Sequence, residues 1–331
     1  MSRVLVTGGA GFIGSHVADA LILRGHDVTV FDDLSGGFND NIPGAARFVQ
    51  GSVTDVDAVG RLFADGRFDY VYHLAAYAAE GLSHFIRRFN YTNNVVGSVN
   101  LVNASINSEV RGFVFTSSIA VYGSAAGRMR EDDSPNPEDP YGIAKLAVEQ
   151  DLRASREMFG LRFVIFRPHN VYGPRQNIGD RYRNVVGIFM NQILQGRPMT
   201  IFGDGTQTRA FSYIDDVAPV MAEAIDSDAA WGGVFNVGAD EWFTLNDLAA
   251  AVARAMGVEP EIVHLPARQE AHHAHSSHDR LTATFGQRRM TPLDEGLKKM
   301  AEWARSHGVR SSGSFGDLEV TKNLPAAWRA T

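Results

Sequence analysis

Cysteine is absent from this sequence of 331 residues. The protein therefore cannot form disulfide bonds, bind a metal through thiolates or use a cysteine nucleophile, and this composition fits a reducing compartment. Long apolar runs are also absent, since none reaches the ~18–20 residues of a membrane-spanning helix. A β-rich run starts at Arg3, which leaves no room for a signal peptide. We therefore expect a cytoplasmic protein that does not enter a membrane.

The chain lacks an excess of basic residues, because 31 Lys and Arg stand against 38 Asp and Glu and the net charge is −7 at pH 7. This charge disfavours a nucleic-acid partner. Four histidines lie close together, at positions 272, 273, 275 and 278, but their spacing fits no common zinc pattern and we predict no metal site. A hydrophobic content of 44% with 21% charged residues is typical of a folded globular protein.

A glycine-rich turn follows the first β-rich run, Arg3–Thr7, and precedes a helical pattern over residues 15–23. Gly8 permits the tight turn, Gly11 lets the backbone approach a pyrophosphate, and Gly14 permits close packing of helix on strand. Because the glycines lie between a strand and a helix, the pattern predicts a dinucleotide site.

The second predicted strand, residues 27–31, ends in two acidic residues, Asp32 and Asp33. An acid at this distance from the glycines accepts hydrogen bonds from the adenosine ribose and repels a 2′-phosphate. Asp32 therefore favours NAD over NADP.

Strand and helix patterns alternate through the first half of the chain, which predicts an α/β fold with a Rossmann-type, doubly wound parallel sheet. Further strands are expected near 47–49, 70–72, 112–115 and 162–167, and helices near 56–63, 85–106 and 140–159. Glycines and prolines then interrupt shorter elements, with helices near 185–194, 217–225, 245–256 and 293–306. We expect a dinucleotide-binding domain over residues 1–168. Residues 169–331 are expected to form a smaller mixed α/β lobe for substrate, with some segments returning to the sheet.

Tyr141 and Lys145 are four residues apart in a helical pattern, so their side chains share one helix face. A phenol has an ordinary pKa near ~10, and a neighbouring ammonium group favours the phenolate. The pair is therefore a candidate general base for a sugar hydroxyl.

Five motifs in order resemble the extended short-chain dehydrogenase/reductase superfamily, and within it the NAD-dependent nucleotide-sugar epimerases and dehydratases, in particular the UDP-hexose 4-epimerases. The resemblance covers residues 3 to about 303. The motifs are Thr7-Gly8-Gly9-Ala10-Gly11-Phe12-Ile13-Gly14, His73-Leu74-Ala75-Ala76, Ser117-Ser118 before Val121-Tyr122-Gly123, the stretch from Tyr141 to Lys145, and Asn170-Val171-Tyr172-Gly173-Pro174.

The resemblance implies a bound NAD and assigns the residues that hold it. Phe12 and Ile13 join the three glycines around the pyrophosphate, and Asp32 binds ribose. Lys145 binds the nicotinamide ribose. The remaining positions that match cofactor contacts are Ser52 and Val53 beside adenine, and Leu74, Ala76, Ala78, Asn93 and Thr116 along the cleft.

The resemblance also implies a nucleotide-sugar site. Tyr141 is the base and Ser118 hydrogen-bonds the reacting hydroxyl, with Ser117 as the alternative. Arginine pairs two phosphate oxygens at once, which suits a diphosphate. The positions that match diphosphate contacts are Asn170, Asn184, Arg209 and Arg268.

The two residues that follow Ser118 indicate the class of reaction. Related dehydratases and decarboxylases carry acidic residues where this chain has Ile119 and Ala120, and several 3,5-epimerases use a cysteine. A tyrosine base with NAD suffices for 4-epimerisation through a transient 4-keto sugar. Alternatives are a dehydratase or reductase of the same superfamily, and a non-catalytic sensor that binds NAD and a nucleotide sugar.

The sugar stays open between UDP-glucose and UDP-glucuronic acid. Three arginines, Arg175, Arg181 and Arg183, are expected near the sugar pocket, where they could meet a C6 carboxylate. The resemblance further implies a homodimer that pairs through the helices near 85–106 and 140–159.

Overall fold

Seven parallel strands form the central sheet of the computed structural model, which describes residues 1–124, 127–267, 273–310 and 318–329. In spatial order they are β11-β6-β5-β4-β1-β2-β3. Their bounds are β1 Arg3–Thr7, β2 Asp27–Asp32, β3 Arg47–Gln50, β4 Tyr70–His73, β5 Gly112–Thr116, β6 Phe163–Pro168 and β11 Val234–Val237. The inner strands are covered on both faces, as parallel sheets require, and every residue of β4, β5 and β6 is buried, whereas the edge strand β3 has exposed ends. The predicted Rossmann-type fold is confirmed.

Helices flank both faces of the sheet. Their bounds are α1 Phe12–Leu23, α2 Val56–Gly66, α3 Glu80–Ser83, α4 Arg87–Tyr91, α5 Gly97–Asn107, α6 Pro140–Phe159, α7 Val185–Leu194, α8 Ile214–Glu223, α9 Leu245–Met256, α10 Asp279–Phe285, α11 Leu293–His307 and α12 Ala326–Arg329. Helix α8 begins at Ile214 rather than at the expected 217, because two aspartates in its first turn favour a helical start there. No helix in the described part of the chain combines the length and apolarity that a membrane crossing needs.

Helix α6 begins and ends where local signals predict. The Asp139 carboxylate accepts hydrogen bonds from Tyr141 N at 2.9 Å and Gly142 N at 3.0 Å, and Pro140 occupies the first turn. Gly160 ends the helix with a positive φ of 74°. This cap holds Tyr141 in the first turn of α6, next to the carboxyl end of β5.

The helix expected over 85–106 is interrupted by a π-helical segment, Thr92–Val96, between α4 and α5. Buried amide side chains account for the change of pitch: Asn94 Nδ2 donates to Asn90 Oδ1 at 2.8 Å, and Asn90 Nδ2 donates to Pro140 O at 2.8 Å. Asn94 also exchanges hydrogen bonds with the backbone of Tyr77. These hydrogen bonds attach the π-helical region to α6 and to the loop after β4. Helical periodicity in the sequence does not predict such a local change of pitch.

Short strands in the second half of the chain were not predicted. They form small sheets in the orders β10-β7, β12-β9-β14 and β13-β8. Their bounds are β7 Val171–Tyr172, β8 Met199–Phe202, β9 Thr208–Ala210, β10 Ser212–Tyr213, β12 Trp242–Thr244, β13 Ile262–Leu265 and β14 His273–Ala274. Strand β11 returns to the central sheet beside β6.

A buried ion pair joins α6 to β6. Glu149 accepts hydrogen bonds from Arg167 at 2.9 Å and 2.5 Å, and their exposed fractions are 0% and 1%. Ser117 Oγ donates to the same carboxylate at 2.6 Å. Tyr122 OH accepts from Arg167 at 2.7 Å and donates to Asn236 at 2.8 Å. The charges are thus fully hydrogen-bonded inside the core.

The C-terminal segment, residues 318–329, lies over α3 and α4. Leu324 and Trp328 are 6% and 7% exposed and pack in one apolar cluster with Leu82 and Ile86. The Glu319 carboxylate accepts hydrogen bonds from Arg88 N at 2.6 Å and from Phe89 N at 2.9 Å. This segment therefore holds the two short helices against the loop after β4.

Candidate functional site

A cleft of about 360 Å³ opens at the carboxyl ends of the central strands, where both halves of the chain contribute residues. Ligands of doubly wound sheets bind at this edge. Most of the sequence-predicted site residues line this cleft.

The glycine turn forms one end of the cleft. Gly8 has a φ of +72°, and a Cβ on Gly8 would lie 2.6 Å from Ala75 N. A Cβ on Gly14 would lie 2.1 Å from Gly8 O, which real side chains do not allow. Gly11 precedes α1, so the amide groups of Phe12 and Ile13 begin a helix at the cleft. A bare backbone at a helix N-terminus fits a dinucleotide pyrophosphate.

Asp32 lies at the end of β2, on the same cleft. Its carboxylate accepts hydrogen bonds from Leu34 N at 2.8 Å and from Ala10 N at 3.1 Å, which orient it over the glycine turn. Burial raises its pKa, and these backbone hydrogen bonds partly oppose the shift. The carboxylate is therefore held in place beside the turn, as a ribose-binding acid must be.

The other expected cofactor contacts divide into two groups. Ser52 does not line the cleft, and its hydroxyl is hydrogen-bonded to Thr54 Oγ1 at 3.0 Å. Six others line it together: Val53, Leu74, Ala76, Ala78, Asn93 and Thr116.

Tyr141, Lys145 and Ser118 meet in the middle of the cleft. The Ser118 hydroxyl accepts a hydrogen bond from Ala120 N at 3.1 Å and lies close enough to the Tyr141 phenol to favour a lower pKa of that group. Lys145 Nζ donates to Thr116 O at 2.7 Å and lies 5.8 Å from the centre of the Tyr141 ring. The hydroxyl of Ser117 is instead bonded to Glu149. Of the two serines, Ser118 is therefore the one that can address a ligand beside Tyr141.

The sequence predicts that the pKa of Tyr141 is lowered, and this prediction is wrong for the protein chain, in which that pKa is raised. Burial raises this pKa, the Glu80 carboxylate raises it further, and the Ser118 hydroxyl opposes the shift. Burial also lowers the pKa of Lys145 to about 7, although the Glu149 carboxylate partly opposes this. Desolvation is the largest cause of both pKa shifts, because burial disfavours the charged form of each group.

On the substrate side, Asn170, Arg183 and Asn184 line the cleft. Asn170 and Asn184 have positive φ values of 39° and 59°, which asparagine tolerates better than most residues. Arg183 Nε donates to Asp180 Oδ2 at 2.7 Å, and its guanidinium lies 4.6 Å from the centre of the Tyr77 ring. The Arg183 side chain is therefore held at the cleft wall.

Three other predicted arginines do not line the cleft. Arg175 pairs with Asp19 of α1, and Arg181 donates to Tyr182 OH at 2.8 Å. Arg209 lies in β9 and donates to Thr208 O at 2.8 Å. Of the three arginines expected near the sugar pocket, Arg183 lines the cleft, whereas Arg175 and Arg181 do not.

The remaining expected positions lie in or near residues 268–272. Arg268 and His272 fall outside the described residues. His278 is hydrogen-bonded to Asp240 at 3.0 Å and to His169 at 3.1 Å, and His273 to Thr208 at 2.7 Å. Within the described ranges, no group of three or more His, Cys, Asp or Glu could hold a metal ion.

Sequence reasoning missed several residues that line the cleft, and Glu80 is the most important of them because it is charged. Four further examples are Tyr77, Phe89, Gln176 and Asn177. The signal for Glu80 was an acidic residue shortly after the His73-Leu74-Ala75-Ala76 motif. No local pattern predicts its place in the cleft, because the turn that brings Glu80 near Tyr141 depends on tertiary packing.

Comparison with known proteins agrees with this geometry. The model of the NAD dependent epimerase/dehydratase family matches residues 4–238. The chain is 37% identical over 313 residues to a UDP-glucose 4-epimerase of Mycolicibacterium smegmatis, covering 92% of this chain and 99% of that protein.

Two solved structures extend the comparison. A UDP-glucose 4-epimerase of Thermotoga maritima with UDP-glucose has a TM-score of 0.87 and 35% identity, with 92% of this chain and 99% of that chain covered. A UDP-glucuronic acid 4-epimerase of Bacillus cereus, in complex with UDP-glucuronic acid and NAD, has a TM-score of 0.84 and 29% identity at the same coverage. The resemblance inferred from five motifs is confirmed, and this chain belongs to the NAD-dependent epimerase/dehydratase family.

Proposed function

We propose that the protein is a UDP-sugar 4-epimerase, which interconverts the gluco and galacto forms of a UDP-hexose at C4. The observation that carries this proposal is the meeting of Tyr141, Ser118 and Lys145 in a cleft that fits NAD. Ile119, where related dehydratases carry an acid, is 7% exposed and packs in an apolar cluster. A C4 inversion breaks no C–O or C–C bond, so it needs no acid at that position.

The chain's own residues move one proton in this reaction. Tyr141 takes the proton from the C4 hydroxyl and returns it when the opposite epimer forms. Ser118 donates a hydrogen bond to the C4 oxygen and orients it toward the phenol. NAD, when bound, accepts and returns the hydride, and its positively charged nicotinamide favours the phenolate. Lys145 is held by Thr116 O beneath the tyrosine, where its charge also favours the phenolate.

The named relatives support a uridine diphosphate sugar and differ in the sugar itself. The Thermotoga maritima enzyme was solved with UDP-glucose and the Bacillus cereus enzyme with UDP-glucuronic acid. A UDP-hexose is the substrate class that both have in common. Arg183, Asn170 and Asn184 are the residues of the cleft wall that are suited to its polar groups.

The test incubates the purified protein with UDP-glucose, and separately with UDP-galactose, without added NADH. We expect both epimers from either substrate, resolved by anion-exchange chromatography and proton NMR. A 4-keto-6-deoxy product would indicate a dehydratase, and stoichiometric consumption of added NADH would indicate a reductase. Binding of UDP-glucose without any conversion would indicate a sensor. Each of these three results would overturn the proposal.

Replacing Asp32 with alanine is expected to weaken NAD binding by ~10- to 150-fold, the scale of one lost hydrogen bond to a charged group. The same change should narrow the preference for NAD over NADP, because the carboxylate no longer repels the 2′-phosphate. Calorimetric titration of both nucleotides measures this. Asp27→Ala, on the exposed opposite end of β2, is the matched control. Wild-type protein purified with NADP bound would contradict the role of Asp32.

We also propose that the protein forms a homodimer through α5 and α6. Ile143 on α6 is 43% exposed and Val96, just before α5, is 50% exposed, although both are apolar. Ile143→Glu is expected to raise the dimer dissociation constant at least ~30-fold, the scale of an interface hot spot. Leu23→Glu, on α1, is the control because Leu23 is 87% exposed on another helix. A concentration-independent monomer in analytical ultracentrifugation of the wild type would refute the dimer.

A further inference from the structure

The C-terminal segment, residues 318–329, contacts both halves of the chain, and we call it the strap. Trp328 is its central contact, with a side chain that is 7% exposed and packs in one apolar cluster with Leu82 of α3. The indole ring also makes edge contacts in the second half of the chain, with Tyr182 at 5.2 Å and Phe202 at 6.5 Å between ring centres. One side chain thus joins two parts of the fold that are distant in sequence.

The strap is attached to the first wall of the cleft by backbone hydrogen bonds. The Glu319 carboxylate accepts from Arg88 N at 2.6 Å and from Phe89 N at 2.9 Å, at the start of α4. The amide groups of Glu319 and Val320 both donate to Phe85 O, at 2.9 Å and 3.2 Å. Since Phe89 lines the cleft, these bonds connect the strap to a residue of the cleft wall.

The second wall is connected to the strap through Tyr182. Arg181 Nη2 donates to Tyr182 OH at 2.8 Å and to Trp328 O at 3.5 Å, which holds the phenol ring against the strap. Asp180 is 5% exposed, and its carboxylate accepts hydrogen bonds from Tyr182 N at 2.9 Å and from Arg183 Nε at 2.7 Å. One buried carboxylate therefore links the residue on which Trp328 packs to Arg183, which lines the cleft.

The two walls also meet inside the cleft. The Arg183 guanidinium lies 4.6 Å from the centre of the Tyr77 ring, and this ring makes an edge contact with Phe89 at 5.6 Å. All three residues line the cleft. The contacts therefore form a closed ring, in which Trp328 and Glu319 join the walls outside the cleft and these three side chains join them inside it.

We propose that the strap holds the two walls of the cleft at the spacing that binds a nucleotide sugar, and that Trp328 is the positioning residue through which it acts. Trp328 does not line the cleft, so its effect reaches the ligand through Tyr182 and Arg183. The identity of the ligand, a UDP-hexose, rests on the proposed 4-epimerase function. Because coupling between two sites is reciprocal, a ligand that contacts both walls stabilises the docked strap as much as the docked strap favours the ligand.

The first test measures the Kd of UDP-glucose by calorimetric titration of the full chain saturated with NAD. Trp328→Ala is expected to raise this Kd at least ~5-fold, the lower end of the usual coupling between two sites. Trp328→Phe should restore most of the affinity, because an aromatic ring stays against Tyr182. The KM for UDP-glucose should rise with the Kd in Trp328→Ala. The kcat should stay close to that of wild type, because Tyr141 and Lys145 keep their partners.

The second test follows the strap itself by limited digestion with trypsin. Lys322 is exposed in the middle of the strap, and cleavage after it reports the fraction of molecules in which the strap has left its place. UDP-glucose, added to the NAD-loaded wild type, should slow this cleavage at least ~5-fold, by the same reciprocal coupling. In Trp328→Ala the protection should be lost. A strap that only stabilised the fold would be cleaved at the same rate with and without UDP-glucose.

Two further variants separate positioning from a general loss of structure. Val320→Ala is the matched control, because Val320 is 39% exposed in the same segment and its backbone hydrogen bond to Phe85 O remains. It should leave the Kd of UDP-glucose unchanged. Glu319→Gln weakens the attachment to α4 but keeps the apolar cluster around Trp328, so it should raise the Kd even if Trp328→Ala fails to fold.

The results that overturn this inference differ from those that overturn the proposed function. An unchanged Kd of UDP-glucose in Trp328→Ala and Glu319→Gln, or an equal loss of NAD affinity in these variants, would refute the positioning role while 4-epimerisation stands. A product other than a C4 epimer, or binding of UDP-glucose without conversion, would refute the proposed function. The titrations and the digestion would still decide the role of the strap, because they report binding without turnover.

Discussion

Tyr141→Phe is expected to lower the rate of epimerisation at least ~100-fold, the usual contribution of a general base, while NAD stays bound. The ring is 6% exposed and remains packed when the hydroxyl is removed, so the loss is one of proton transfer rather than of structure. The hydroxyl is also the group whose pKa the neighbouring Ser118 hydroxyl lowers. Turnover of UDP-glucose under saturating conditions, with bound NAD determined by release and chromatography, measures both parts of this expectation.

Tyr70→Phe is the matched control for Tyr141→Phe. Tyr70 is also 6% exposed and begins β4, at the end of the sheet away from the cleft, where its ring stacks on Trp231 at 5.9 Å. Its hydroxyl can be removed without touching the cleft, so turnover should stay close to that of wild type. Activity of Tyr141→Phe within a few-fold of wild type would show that another group takes the proton.

Glu149→Ala is expected to lower the free energy of unfolding by about 3–5 kcal/mol, because it leaves the buried Arg167 guanidinium without its counter-charge. The substitution also removes the acceptor of the Ser117 hydroxyl. Denaturant unfolding followed by circular dichroism measures the change, with NAD held at one fixed concentration because bound cofactor stabilises the folded state.

The double variant Glu149→Leu with Arg167→Met tests the physical reason. Replacing both partners by apolar residues leaves no buried charge unpaired, so the double variant should be more stable than Glu149→Ala. If the double variant were as unstable as Glu149→Ala, lost packing rather than an unpaired charge would explain the effect. We also expect a lower kcat in Glu149→Ala, because the loss of the Ser117 hydrogen bond disturbs the neighbouring Ser118.

The elements that the sequence predicted well carry their signals locally. Helix α6 has its cap at Asp139, its proline at Pro140 and its glycine at Gly160, so its bounds follow from neighbouring residues. The glycine turn and Asp32 are likewise encoded within one strand–turn–helix unit. The short strands of the second lobe, such as β7 and β10, have two residues each and carry no periodicity to recognise.

The site residues likewise fall into two groups, those that a local sequence pattern predicts and those that tertiary contacts place. Tyr141 and Lys145 share a helix face through their spacing, and the five ordered motifs were sufficient to identify the family and its cofactor. The hydrogen bond of Ser117 to Glu149 and the place of Ser118 beside Tyr141 depend on which residues α6 brings to each hydroxyl, and these residues are distant in sequence.

The electrostatics of the cleft depend wholly on three-dimensional packing. Arg175, Arg181 and Arg183 lie close in sequence, but each side chain binds a different partner: Asp19, Tyr182 and Asp180, respectively. Glu80, by contrast, belongs to another helix and acts on Tyr141 through space. Burial, which no local pattern measures, reverses the expected direction of the Tyr141 pKa. Local sequence thus specified the fold class, the dinucleotide turn and the tyrosine–lysine pair, because short-range backbone preferences encode them. The charge that a bound sugar meets was decided by long-range contacts, because desolvation and Coulomb interactions act through space rather than along the chain.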